Sequence, residues 1–475
     1  MKNYKNFFFH VLGLALGLVV VSCGENNSPE VEPEVPVSLK INVSNITQNS
    51  ADVTVVPSNE KATYSYGLFR SASLQGLNDD QITKLIVPDN TKISEKLITG
   101  SKTFSPDTLV DNTEYTAVVV YYKNLIADKV YRTDFKTLKS AYKDLGEGAN
   151  CYIIPEAGKY SFVPLHVSGK PIENIAKVDW IWATKVGESN EQKLITYVKY
   201  DGKRVQIDAT GERGSIVLAA FDNAGKIVWV WHIWCTEVPK TMKYSNGKVF
   251  MDRNLGALSA NEADGKKTWG LLWQWGRIVP FFSGYEETEW QKEDAFTESR
   301  KWTIMNPTYG LEWKFEYHAV EIDEAIARPT VFFCDKKSCD WNNTINLKLW
   351  GGVKTDYDPS PAGFHVPQTS DWEEPLANFV PRDDWSGATY TFEGNTAWWP
   401  ASGSGREFDS GCNIIGFGGG IFVWSSTAEY VTDIMFGLDN SPMAYRLAYQ
   451  TRTKFLTLKA MGNRAFAHSI RCVAD

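Results

Sequence analysis

A chain of 475 residues with 49 Lys and Arg against 57 Asp and Glu carries a formal net charge of −8, which excludes the basic footprint of a nucleic-acid-binding protein. At about 150 residues per domain the length suits three or four domains, and a hydrophobic fraction of 43% supplies apolar material for several cores. All 18 Trp lie at or after Trp180, so at least two kinds of domain are expected.

The N-terminus speaks first. Lys2 and Lys5 precede an almost wholly apolar run, residues 7–21, that closes on Val20-Val21-Ser22-Cys23. The run is short for a bilayer span and ends on a small residue before Cys, as export signals do. It resembles the lipobox of bacterial lipoproteins, which implies a signal peptide at 1–22, lipidation of Cys23 (palmitate among the acyl chains) and attachment to a membrane. A plain signal peptide with an incidental Cys, or a membrane anchor, is the competing reading. Loss of Lys2 and Lys5 takes the charge from −8 to −10. Residues 24–37, GENNSPEVEPEVPV, are acidic and Pro-rich without apolar periodicity, and with Cys23 they make an extended, solvated tether. Glu25, Glu30, Glu32 and Glu34 resemble a surface-display signal of Bacteroidetes lipoproteins, which implies an outer-membrane location with the chain facing the cell exterior.

Residues 38–140 read as a β-sandwich. Leu39, Ile41 and Val43 alternate with polar residues, as do Tyr64, Tyr66 and Leu68. The stretch 109–115 ahead of an apolar strand at 117–122 resembles the tyrosine corner of fibronectin type III and immunoglobulin-like domains, with Tyr115 as the corner residue. Asn78 caps an expected inserted helix, NDDQITKLIV, which departs from the plain sandwich.

Residues 148–238 form a second β-rich unit. Asn223-Ala-Gly225 supplies turn chemistry between two apolar strands. The closing strand sets Val228, Val230 and His232 against Trp229, Trp231 and Ile233, a stripe that reads as core, with His232 a hydrogen-bonded core histidine. The opening and closing phrases resemble fimbrillin-like Bacteroidetes surface lipoproteins.

Residues 242–475 are punctuated by VFMDRNLGA (249–257), WGLLWQWGR (269–277), DPSPAGFHVPQTSDWEE (358–374), FVWSST (422–427) and SIRCVAD (469–475). In the central stretch Ser370 and Glu373 fit a capping box and Trp372 an apolar anchor. Together the phrases resemble the Fibrobacter succinogenes major paralogous domain. The Gly363-x-x-x-Pro367-x-x-x-x-Trp372 core is also similar to a phrase of formylglycine-generating-enzyme-like domains. Both resemblances imply a C-type-lectin-like fold: loop-rich, two helices, and a few strands pinned by Trp and disulfides. The fold class is therefore multi-domain and mainly β, two β-sandwiches followed by an α+β lectin-like domain. The family often has Cys where this chain has Ser360, which leaves Cys472 either with Cys412 as replacement partner or as a free thiol.

After Cys23 six cysteines remain, and an even count in an exported chain favours disulfides. Chain position gives Cys151–Cys235, Cys334–Cys339 and Cys412–Cys472, with buried free thiols as the alternative. No Cys or His pair at ligand spacing follows Cys334 and Cys339, so no zinc or other metal site is expected.

No nucleophile elbow, His-Glu-x-x-His, phosphate loop or calcium loop occurs, and no catalysis or cofactor is expected. A formylglycine-type oxidase would need a close Cys pair late in its domain; the close pair here comes early. Binding is the better class. Sugars present apolar C–H faces that lie against indole rings, and Trp385, Trp398, Trp399, Arg406 and Asp409 are the candidate ligand contacts. Trp269, Trp273 and Trp372 are assigned to the core. The expected function is adhesion or glycan binding, with a glycan or surface protein as partner. The alternative is an anchor or accessory subunit of a fimbria, with other fimbrial subunits as partners.

Overall fold

The computed structural model describes residues 36–88, 93–139, 141–282, 297–335, 338, 340–372, 379–403, 420–433, 438–450, 453 and 455–475. The leader and Cys23 lie outside the described residues. Among the described residues the protein is mainly β, with 46% strand and 10% helix, and it splits into two compact units at Ser140 and Ala141.

In the first unit, β1 (Leu39–Ser44), β2 (Asp52–Pro57) and β5 (Lys102–Phe104) form one antiparallel sheet in the order β1-β2-β5. The other sheet runs β4 (Ile98–Thr99), β3 (Thr63–Arg70), β6 (Glu114–Lys123), β7 (Ile126–Lys136). This is a fibronectin type III-like strand order. Side-chain alternation gives each sheet an inner face, where Val53, Val55, Tyr64 and Val119 are fully buried. The Tyr115 hydroxyl accepts the N–H of Val110 at 2.9 Å, the corner expected from the sequence. The inserted helix α1 (Asp79–Ile86) starts as Asn78 accepts from Gln81 N at 2.9 Å while Gln81 accepts from Asn78 N at 3.0 Å. Its Ile82 lies in a cluster with Val118 and Val120.

The second unit opens with β8 (Lys143–Glu147), β9 (Cys151–Ile154), β10 (Gly158–Val163), β11 (Lys177–Thr184), β12 (Ile195–Tyr200), β13 (Val205–Ala209), β14 (Gly214–Phe221) and β15 (Ile227–Cys235). One sheet is β12-β13-β10-β8. The other is β11-β14-β15-β9, extended at its β11 edge by the strand Thr303–Met305. Every residue of β14 is buried, as a central strand covered on both faces must be. The Trp stripe of β15 is core, with Trp229, Trp231 and Trp234 at most 4% exposed.

The boundary expected near 238–242 has no counterpart in the packing. Thr303–Met305, far beyond it, completes the sheet begun at 148, and Trp182 packs on Trp313 with ring centroids 5.4 Å apart. The larger apolar core extends from Ala149 to Cys472 across that boundary, and a smaller one, from Met242 to Val473, lies within the later segment. The middle segment has exposed an edge strand and a Trp face that only the later segment covers, so neither closes alone.

The five punctuating phrases come together as one hub. Phe250 pairs with Val473, and Val473 with His365, so the first, third and last phrases share a sheet. Trp424 donates its indole N–H to Trp273 O at 2.8 Å, Trp275 to Ser425 O at 2.8 Å, and Asn254 Nδ2 to Trp269 O at 3.1 Å. Arg471, fully buried, donates to Asn254 Oδ1 and to Trp398 O. Gly270 allows a close approach: at φ 79° a Cβ there would sit 2.5 Å from Leu255 O. Helix is sparse, Thr297–Trp302 and Ile322–Ala327 being six residues each.

Stretch 358–366 folds around an internal ion pair that the sequence reading did not single out. Lys354 Nζ donates to the carbonyls of Ser360 (2.6 Å), Phe364 (2.8 Å) and Pro361 (3.1 Å) and reaches Asp358 Oδ1 at 3.3 Å. Asp358, fully buried, also accepts from Ser360 N and Val366 N. Beyond it Thr369–Trp372 is a 3-10 turn, entered as Asp371 accepts from Gln368 N at 2.8 Å. Glu373 lies outside the described residues.

Candidate binding surface

Two of the five ligand candidates are core residues. Trp399 is 1% and Trp398 6% exposed. Trp399 donates to Tyr244 Oη at 3.0 Å and lies under the Arg471 guanidinium at 4.0 Å; Trp398 donates to Thr268 Oγ1 at 3.2 Å. Their polar edges are satisfied internally, so the Trp398–Trp399 pair is corrected from ligand contact to packing. Adjacent residues on a strand face opposite ways, and here both faces are covered. Arg406 and Asp409 lie outside the described residues. Trp269, Trp273 and Trp372 are buried as assigned.

Trp385 stands apart. It is 43% exposed, and it is the one exposed tryptophan among the described residues. It sits in the turn between the strands Phe379–Pro381 and Gly387–Phe392, where residues 382–385 are all exposed. Its backbone is left-handed at φ 64°, a conformation that is a genuine outlier for a bulky side chain.

The turn is held from several sides. Arg382 N donates to Gly387 O at 3.0 Å and Trp385 N to Arg382 O at 3.2 Å. Asp384 Oδ1 accepts from Ser386 N (3.0 Å) and Ser386 Oγ (2.6 Å), bonds that hold its carboxyl below the ordinary range. Arg382 pairs with Glu262. Gly387 has no room for a side chain, since a Cβ would meet Trp399 O at 2.3 Å and the Trp398 ring at 2.6 Å. The buried Trp pair is thus the platform on which the turn rests. The exposed indole of Trp385 shares one turn with Arg382, Asp383 and Asp384. Asp383 and Asp384 read in sequence as ordinary solvated surface; the signal available was the turn composition Asp-Asp-Trp-Ser-Gly.

The cysteines are placed differently from the expected pairs. β9 and β15 run parallel with His232 opposite Cys151 and Cys235 opposite Ile154. Three residues of offset is about 10 Å along the strand, beyond disulfide reach. Cys151, Cys235 and Cys472 are buried free thiols, so the Cys151–Cys235 and Cys412–Cys472 bridges are corrected to the thiol alternative. Cys339 and Cys412 lie outside the described residues; Cys334 is buried. Burial pushes the thiols of Cys235 and Cys472 up to about 12. Ser360, whose hydroxyl has no nitrogen or oxygen partner, faces the Cys472 thiol and partly offsets that rise.

His232 bridges Ser215 Oγ (2.9 Å from Nε2) and Cys151 Sγ (3.4 Å from Nδ1). Nucleophile and imidazole are adjacent, yet all three residues are about 1% exposed, and burial lowers His232 to about 3. At neutral pH it is a neutral hydrogen-bonding strut. Among the described residues no group of three or more His, Cys, Asp or Glu is arranged to hold a metal ion.

No family model matches the chain, and no curated protein matches it. Among solved structures, a two-domain fibronectin type III segment of chicken tenascin is similar at 14% identity over 41% of this chain and 95% of that one, with a TM-score of 0.16. The FN1–FN3 domains of chicken CNTN1 are similar at 16% identity over 45% and 73%, TM-score 0.16. The sensor domain of the anti-sigma factor RsgI4 of Pseudobacteroides cellulosolvens is similar at 16% over 23% and 100%, TM-score 0.16. At these scores none carries an argument; the fibronectin type III-like description of the first unit rests on its strand order and tyrosine corner.

Proposed function

We propose that the chain is a non-catalytic surface lipoprotein that binds glycan through its second unit, with the turn Arg382-Asp383-Asp384-Trp385-Ser386 as the contact. The observation that carries this is the exposed Trp385, fixed in a left-handed backbone on a rigid turn while the other described tryptophans are wholly or partly buried. Strain kept at an exposed aromatic points to a use for that aromatic. Loops on a rigid scaffold commonly carry binding. The lipobox-like leader and acidic tether supply the outward display, and the resemblance to the Fibrobacter paralogous domain supports a lectin-like terminal region. A glycan array probed with the chain from residue 24 onward tests the reading. Binding to a related set of glycans, lost in Trp385→Ala, is expected. Silence across host and plant glycans, or binding that survives Trp385→Ala, overturns it.

A further inference from the structure

A second strained, exposed apolar feature lies in the first unit. β6 and β7 are joined by only two residues, Asn124 and Leu125, because Lys123 pairs with Ile126. Both have left-handed backbone, φ 51° and 65°, the geometry of a type I′ hairpin turn. Asn suits the first position and Gly the second. A leucine at the second position crowds its Cβ against its own carbonyl. Leu125 is 54% and Ile126 71% exposed, and neither belongs to an apolar cluster of this unit among the described residues. Strain and apolar exposure coincide at one tip, and no packing within the unit offsets either.

The fold fixes where that tip points. Leu39, at the head of β1, shares a cluster with Val119 and Tyr131, while Val43, near its end, shares one with Tyr115 and Phe135. Tyr131 Oη also donates to Val37 O at 3.3 Å. β7 therefore runs alongside β1 in the same direction, and the 124–126 tip lies about 17 Å before Tyr131 along β7, beyond the head of β1. This is the end at which the chain enters the unit from the residues preceding Pro36. Only 12 residues separate Cys23 from Pro36, an extended reach of at most ~45 Å. Lys123 and Lys129 flank the tip, with Asp128 between, and all three are exposed.

We infer that the Leu125–Ile126 tip is a lipid-contacting element that dips into the bilayer surface beside the chain's own anchor, with Lys123 and Lys129 at the headgroups. Its orientation rests on the lipid-anchored reading. A second contact on the same rigid unit would add to the anchor's hold and keep that unit at a fixed tilt.

The test uses the chain from residue 24 onward, carrying an N-terminal histidine tag in place of the lipid and docked on phosphatidylcholine vesicles with nickel-chelating and anionic lipid. An environment-sensitive dye is placed at Leu125→Cys or at Leu138→Cys. Leu138 is 56% exposed and donates to Thr47 O, at the far end of β1. On docking, the dye at 125 shifts to the blue and is quenched by brominated lipid, while the dye at 138 does neither. Equal responses, or none at 125, overturn the inference. A double variant, Leu125→Gly with Ile126→Ser, relieves the left-handed strain and so keeps the melting temperature, yet weakens vesicle affinity several-fold at low nickel-lipid density; unchanged affinity also overturns it. The tag replaces the lipid, so a mass spectrum showing no lipid on Cys23 refutes the anchor without touching this result.

Discussion

At the scale of single residues, exposure separates tryptophans that sequence cannot. Trp385, Trp398 and Trp399 lie within fifteen positions and all read as candidate contacts, yet one is exposed and two are sealed. Truncating Trp399 to Ala is expected to destabilise the second unit by about 3–5 kcal/mol, as large buried aromatics do. Trp385→Ala is expected to stay within about 0.5 kcal/mol of the parent. Urea titrations of the two variants check the contrast; equal losses would mean the turn packs as core. Residue burial also sets a pH dependence. His232 titrates near 3 in the fold and near 6.5 when unfolded, and burial beside Arg446 lowers His468 well below the ordinary value too. Below about 6.5 the unfolded chain takes up protons that the folded chain refuses. The stability from these two neutral histidines is complete above that pH and drains as pH falls below it, for His232 down to about 3, by up to about 1.4 kcal/mol per unit for each. Urea midpoints should fall between pH 7 and pH 5, and less in His232→Gln; a parallel pH dependence in the variant would contradict this.

Elements show why some of the chain was legible. Asn78 and Gln81 meet as a cap because three-residue spacing places them together on any helix start, and Tyr115 meets Val110 because the corner is local in sequence. Around the 3-10 turn, Thr427 reaches in from another strand to accept from Thr369 N, a contact that local spacing does not announce. The Cys151–Cys235 pair failed for a similar reason: register between β9 and β15 places His232, not Cys235, opposite Cys151. Neither could be read without the partner strand. The Lys354–Asp358 pair was also silent in sequence, although it organises the stretch around Gly363. Replacing Lys354 by Met leaves Asp358 buried without its cation, and a loss of about 3–5 kcal/mol is expected. Thermal unfolding of that variant at the parent's melting temperature would show that the buried ion pair is dispensable.

For the whole molecule, the sequence marks two kinds of chain, one without tryptophan and one rich in it, and the boundary at Ser140 follows that change. The further division near 240 was a reading of phrases, and phrases carry no information about which edge strand completes which sheet. With Thr303–Met305 closing the β11 edge and the larger core shared from Ala149 to Cys472, residues 141–475 should unfold in a single cooperative transition, separate from that of the first unit. Calorimetry with three resolved transitions, two of them inside 141–475, would contradict this. The same unity gives the proposed contact its rigidity, because the turn at 382–386 rests on Trp398 and Trp399, and Arg471 from the last phrase holds both in place.

The central claim is that ligand meets the protein at Trp385 and not at its aromatic core. Fluorine NMR of the chain labelled with fluorotryptophan tests it most directly, with the Trp385 resonance assigned by its disappearance in Trp385→Phe. Addition of a glycan retained on the array should shift that resonance in a saturable way and leave those of Trp398 and Trp399 in place. A bound glycan that leaves the Trp385 signal unmoved, or that moves the buried pair instead, would contradict the account.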